Sequence, residues 1–256
     1  MQRSHGARSS RTAFTIVELL VTVGIIAALA AMALPALAGA RRTALATADL
    51  AILRGLTMAH SAYMSLHEER FADVGLPHGS LGNPTNSFVV GLQPFLEGDA
   101  RALRSPLDTS PHWPTELGGD GEPVNAGSPP LLRRTSYGMN NYLSRSYSPT
   151  VALDGAGAGV DRLQQVRDPS RIVCFLLMAE RGSYASADHP HVEDWAASPV
   201  PARSAAAQVL VNAVDRRTPQ AASLGNWAFI DGAVRTMPFE DVYRSVTENR
   251  FDPSLE

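Results

Sequence analysis

The chain has 256 residues, 45% hydrophobic and 18% charged, which leaves room for one membrane anchor and one globular domain with a sizeable core but crowds out two full soluble domains. All 22 basic residues are arginine and the formal net charge is −3, so charge gives no reason to expect general nucleic-acid binding. Cys174 is alone, which excludes an intramolecular disulfide and reads as a small buried apolar side chain.

Residues 1–13 contain Arg3, Arg8 and Arg11 and no acidic residue, the pattern of a cytoplasmic flank under the positive-inside rule. The run from Phe14 to Ala40 follows, and its 27 residues hold one charged side chain, Glu18. At about 1.5 Å per helical residue, Leu19 to Ala40 reaches roughly 33 Å, enough for a hydrocarbon core of about 30 Å. A carboxylate near the end of such a run is costly in lipid and is a functional candidate, as against an interfacial glutamate on an ordinary anchor. Ala36-Leu37-Ala38 and Ala38-Gly39-Ala40 can also imitate a secretory cleavage site, whose use would release a soluble protein.

Ala13-Phe14-Thr15-Ile16-Val17-Glu18-Leu19-Leu20, followed by an apolar helix with Pro35 near its far end, resembles the processing and assembly segment of type IV prepilins and type II secretion pseudopilins. The resemblance implies that a prepilin peptidase cuts between Ala13 and Phe14 and methylates the new N-terminus at Phe14. It makes Glu18 the assembly glutamate and Pro35 part of the packing of the stem. The residue before the cut is usually glycine in that family, and here it is Ala13. Implied partners are the peptidase, other pilin or pseudopilin subunits, an inner-membrane assembly platform and membrane lipid. Loss of the leader takes the net charge from −3 to −6. The free amine at Phe14, with a reference pKa of about 8, is largely cationic at neutral pH. Paired with a neighbouring subunit's Glu18 inside lipid, each charge removes the other's isolated-charge cost.

Past Arg41 and Arg42 the helical pattern continues. Leu45, Ile52, Leu56, Ala59, Tyr63 and Leu66 predict an apolar stripe on a helix ending near Leu66 or Glu69, with Asp49, Arg54, Ser61 and Glu68 on its polar face. From Phe14 this makes a helix of about 53 residues, or roughly 80 Å. Pro35 removes one backbone donor and kinks or loosens the helix, while Gly24 and the alanines between Ala27 and Ala40 permit close helix approach.

From Phe71 to Ser136 the pattern breaks up. Phe88 to Leu96 reads as a short strand or a turn with a helical start, and Ser105 to Pro130 as a long surface excursion. Within that excursion Glu116, Asp120 and Glu122 surround Gly118 to Gly121, oxygen ligands that could hold calcium, but no EF-hand pattern is present and a solvated loop is the expectation. The glycine-rich stretch Asp154 to Asp161 lacks the ending of a P-loop. Ile172 to Met178 is a continuous apolar, partly β-branched run and predicts a buried central strand.

This middle region is similar to a longer variant of the same family found in Planctomycetes and Verrucomicrobia. The similarity rests on Ser105-Pro106-Leu107-Asp108, Ser136 to Asn140, Asp168 to Glu180 and Trp227 to Gly232. Ser105 stands where cysteine is common, and Ala221 stands where that variant has a histidine separated by nine residues from Asp-Gly.

His189-Pro190-His191-Val192-Glu193-Asp194-Trp195 offers two imidazoles and two carboxylates. Their spacing does not match a helix face and no remote ligand completes a set by sequence logic, so a loop is expected, with no metal and no cofactor. Gln208 to Val214 predicts another strand or short helix. Asn226–Ile230, Asp231-Gly232 and Ala233–Met237 predict a hairpin on a two-residue turn, with Trp227 and Phe229 on one face. Phe239, Val242, Tyr243 and Val246 after Pro238 predict a closing helix.

The expected fold is α+β: a leader over 1–13, a transmembrane helix over 14–40, an amphipathic continuation over 41–69 and an exported head over 70–256 built round an antiparallel sheet, pilin-like. No Gly-x-Ser-x-Gly or His-Glu-x-x-His occurs, and the expected work is structural, in secretion, adhesion or DNA uptake. The expected location is a single inner-membrane pass with the N-terminus cytoplasmic and the head periplasmic, then a periplasmic or surface filament. The competing readings are an anchored exported hydrolase or metal-dependent surface enzyme working through His189 or His191, and a glycan-recognition module exposing Trp113, Tyr142 or Trp195.

Overall fold

One helix, α1 (Ile16–Leu66, 51 residues), begins the described chain. The structure is a computed structural model and describes residues 15–78, 84–96, 100–125, 127, 130–155 and 157–255. Residues up to Thr43 form one unit and those from Ala44 onward a second.

In the first unit every described residue is exposed, including Ile16 at 77% and Met32 at 78%. Apolar side chains are left outside on all its faces. α1 is long and apolar enough to cross a membrane. Pro35 lies inside it without ending it.

The second unit is α+β. Strands β1 (Tyr137–Met139), β2 (Val173–Leu177), β3 (Leu224–Phe229) and β4 (Val234–Pro238) form an antiparallel sheet in that order, and β5 (Tyr243–Ser245) and β6 (Glu248–Asn249) form a separate ribbon. β2 is fully buried because both faces of the sheet are covered. One layer packs Leu53, Leu56 and Met64 of α1 with Phe71, Phe88, Phe175 and Leu177. The other packs Val173, Leu176 and Met178 with Trp195, Trp227, Phe229, Phe239 and Phe251. The register between β2 and β3 shifts between Val173 and Phe175. This irregularity sends Cys174 and Phe175 to the same layer before alternation resumes.

The predicted stripe faces the core, with Leu56 and Ala59 buried and Leu45, Ile52 and Tyr63 packed against it, except for Leu66, which is 73% exposed. Ala46, Asp49, Leu53, Thr57, His60 and Met64 are buried as well, so the face is wider than predicted and takes in polar side chains, among them Asp49 from the predicted polar face. Asp49 accepts hydrogen bonds from Tyr137 Oη at 2.8 Å, Asn226 Nδ2 at 2.8 Å and the Ser105 hydroxyl. His60 Nε2 accepts from the Ala72 amide at 3.1 Å, which leaves Nδ1–H directed at Cys174 Sγ, 3.5 Å away. Burial pushes His60 down to about 3, so it is neutral. α1 stops beyond Leu66, where Glu68 and Glu69 take positive φ of 54° and 59°.

Of the two readings of Phe88 to Leu96, the turn with a helical start forms: Phe88–Gly91 is a helical turn capped by Ser87, followed by a 3₁₀ turn at Gln93–Phe95. Three other expectations are corrected. The segment from Ser105 is no surface excursion at its start. Ser105, Asp108, Ser110, His112 and Trp113 are buried because the Asp108 carboxylate accepts from Arg133 Nε at 2.7 Å, Trp113 Nε1 at 2.9 Å and Ser136 Oγ at 2.6 Å. Gln208–Val214 is a series of turns that touches the sheet at the bridge Met178↔Val209 and where the Val214 amide donates to Leu224 O at 3.0 Å. Pro238 does not open a helix of several turns. A 3₁₀ turn at Phe239–Asp241 leads directly into β5, since Val242 and Tyr243 are held in the second layer while Val246 sits exposed at the ribbon tip.

The β3–β4 hairpin forms, with Trp227 and Phe229 sharing a layer, but its turn has three residues. Gly232 donates to Phe229 O at 3.0 Å and has φ +86°, and Phe229 donates to Ala233 O at 2.8 Å. Asp-Gly therefore supplies a left-handed glycine after a tight turn, as in a hairpin carrying a glycine bulge.

Candidate functional site

Two places in the chain concentrate chemistry, the start of α1 and a histidine cluster in the head. Ala13 and Phe14 lie outside the described residues. Thr15 precedes the first helical residue and Glu18 is the third residue of the helix. Glu18 Oε2 accepts from the Thr15 amide at 2.9 Å and the Thr15 hydroxyl at 2.7 Å, and Thr15 Oγ1 accepts from the Glu18 amide at 3.2 Å. This is a capping box, and the sequence signal for it, Thr-x-x-Glu before an apolar run, is plain once looked for. Both carboxylate contacts fall on Oε2. Pro35 and Gly24 lie on exposed helix, and a side chain at Gly24 would meet nothing within 4 Å.

In the head, His78, His189 and His191 converge, and their ligand atoms lie within 4.8 Å of one another. His78 Nε2 is 3.2 Å from His189 Nε2 and 3.1 Å from His191 Nε2. His78 arrives on the segment that follows α1, of which Phe71 to Leu76 are buried. Asp73 fixes that segment by accepting from Ser144 Oγ at 2.6 Å and Ser146 Oγ at 2.9 Å.

Asp188 joins the two halves of the cluster. Its carboxylate accepts from the amides of Gly75 at 2.9 Å and Leu76 at 3.0 Å and from the Ser87 hydroxyl, and it receives His189 Nδ1 at 2.9 Å. Asp188 and His189 are fully buried. Glu193 does the same for His191, whose Nδ1 lies 3.0 Å from Glu193 Oε1, while Asn141 Nδ2 donates to Oε2 at 2.7 Å. Gln208 Oε1 holds the chain itself by accepting from the His191 amide at 2.7 Å. With both Nδ1 atoms turned to carboxylates, His189 and His191 point Nε2 inward, where each carries a lone pair when the ring is neutral. Tyr184 stacks on His78 at 4.9 Å and Tyr147 lies 4.5 Å from His189, ring centre to ring centre.

Burial, with the neighbouring His189 and His191, lowers His78 to about 4. The hydrogen bond to Glu193 raises His191 despite burial. Burial works to raise Glu193, but hydrogen bonds led by that from His191 outweigh it and hold it below the usual carboxylate range.

The segment His189–Trp195 is a loop with a short 3₁₀ turn from Val192, as expected, but its two imidazoles do not stand alone. The third imidazole is His78, more than a hundred positions earlier, and no local spacing announces it. Asp194 is exposed and takes no place in the cluster. Glu116, Asp120 and Glu122 are exposed, and the three histidines are the only group among the described residues whose donor atoms converge as metal ligands would. Trp113 and Trp195 are fully buried and Tyr142 is half-buried, so the tryptophans cannot present a glycan-binding face.

Comparison of the chain with protein-family models, with curated proteins and with solved structures finds no match.

Proposed function

We propose that this chain is a subunit of a pseudopilus or type IV pilus-like filament, a minor or accessory one, acting in secretion, adhesion or DNA uptake. In this reading a prepilin peptidase removes residues 1–13, Phe14 becomes the N-methylated first residue, and the apolar part of α1 anchors the subunit with its head exported. Other pilin or pseudopilin subunits and an inner-membrane assembly platform are its partners. No catalytic role is assigned to the head.

The observation that carries the reading is the coincidence, on one exposed helix, of an unbroken apolar surface with a single carboxylate at its starting turn. A membrane anchor needs only the first of these. The capping box sharpens the assignment of Glu18, because an N-terminal cap alone is a structural reason for that residue. The two roles separate in Glu18→Gln, since glutamine serves equally at the third position of a capping box but carries no charge. Filament incorporation should then fall sharply while insertion, cleavage and α1 are kept. Normal co-assembly of Glu18→Gln with its partner subunits would leave Glu18 with the cap alone.

A further inference from the structure

We propose that His78, His189 and His191 form a binding site for a divalent first-row metal, zinc by preference, with its fourth coordination position open to solvent.

The spacing supports three nitrogen ligands on one ion. Zinc–imidazole bonds of about 2.0–2.1 Å at tetrahedral angles place neighbouring nitrogens about 3.3 Å apart. The two contacts from His78 Nε2, at 3.2 and 3.1 Å, sit close to that edge length. The His189–His191 pair lies within 4.8 Å and needs a closure of up to about 1.5 Å to reach it. His191 is only partly buried, so it can make that movement more readily than His189.

Proton counting points the same way. In the neutral tautomers that direct Nδ1–H of His189 and His191 to Asp188 and Glu193, both Nε2 atoms present lone pairs to His78 Nε2. A neutral His78 has at most one proton there and cannot donate well to both neighbours at once. A cation satisfies all three nitrogens together. The outer contacts are those that metal sites use: a carboxylate behind a ligating imidazole fixes its tautomer and raises its basicity. Asp188 does more, because it also grips the Gly75 and Leu76 amides and so holds the His78 segment against the His189 segment before any ion arrives.

Nitrogen-only donors argue against calcium or magnesium, which take oxygen, and three imidazoles suit zinc, copper, nickel or iron. The near-tetrahedral edges favour zinc. Since His78 and His191 are partly exposed, the remaining position would be filled from solvent, by water or by an external carboxylate or imidazole.

The test uses the full chain in detergent, without a polyhistidine tag, stripped with chelator and then titrated with Zn²⁺ and, separately, Co²⁺. One equivalent of Zn²⁺ should bind saturably, and the Co²⁺ form should show the intense visible absorption of a four-coordinate ion with nitrogen ligands. His78→Ala and His191→Ala should each weaken Zn²⁺ binding at least 100-fold. Glu193→Gln, which leaves all three ligands in place, should weaken it by about 10–100-fold. Absence of saturable binding, a weak six-coordinate cobalt spectrum, or unchanged affinity in folded His78→Ala would overturn the site and leave a proton-linked histidine cluster. If the alanine variants do not fold, the cobalt spectrum of the unaltered chain decides. Failure of this site would not touch the filament reading, which rests on Phe14 and Glu18.

Discussion

The two parts of α1 on either side of Thr43 put polar groups to opposite uses. Before it, the 51-residue helix runs through apolar residues that are all exposed in this part, and the one carboxylate there sits in the starting turn. After it, the same helix buries a carboxylate and an imidazole, Asp49 and His60, along with Leu53 and Leu56. Polarity therefore fails to predict exposure in both parts, for different reasons. In the first, the helix packs against nothing else among the described residues, so its apolar side chains stay outside, as they would in the lipid of the proposed anchor. In the second, fixed partners from the sheet and its loops replace water, which makes a polar residue on the inner face tolerable.

The contrast can be broken most severely at Asp49. Asp49→Ala strands the hydroxyls of Ser105 and Tyr137 and the amide of Asn226, each costing about 1–3 kcal/mol when left unsatisfied, so a loss of several kcal/mol is expected in denaturant unfolding. A loss under about 1 kcal/mol would mean that water reaches the site.

His60 gives the next effect, and its sign is fixed. Its folded-state value of about 3 lies below the usual 6.5, so the unfolded chain binds more protons between those values. Its contribution is whole above pH 6.5 and is lost as pH falls towards 3, at about 1.4 kcal/mol per unit. Comparing the chain with His60→Gln cancels the other acidic groups, including Asp49, which burial raises. The stability gap between the two should shrink from pH 7 to pH 4, and a constant gap would show His60 to be hydrated.

Leu53→Ala, in the fully buried part of α1, should cost about 2–5 kcal/mol. Ile26→Ala, in the exposed part, should leave the unfolding of the head unchanged to within about 0.5 kcal/mol.

How far the sequence discloses this arrangement depends on the range of the interactions. β2 is legible because an uninterrupted apolar run has few uses other than a strand covered on both faces. The β3–β4 hairpin is legible because Asp231-Gly232 carries its own turn chemistry. The closing helix fails because Phe239, Val242 and Tyr243 fit helical spacing as well as they fit a turn followed by a strand. The segments Ser105–Asp108 and Ser136–Asn140 look like motifs, and the structure gives them a packing role. They donate to Asp49 and Asp108, and Asn140 Nδ2 donates to the carbonyls of Val173 and Phe251. Two of the three clustered histidines are visible as His189 and His191. The third is hidden because Asp188, not sequence proximity, brings His78 to them.

The central claim concerns the start of the mature chain, and mass spectrometry of the N-terminal peptide from protein made in a host with a prepilin peptidase tests it most directly. The account predicts N-methyl-Phe14 as the first residue. A mature chain beginning after Ala38 or Ala40 would contradict it, since α1 would then have lost Glu18, Pro35 and the whole apolar run.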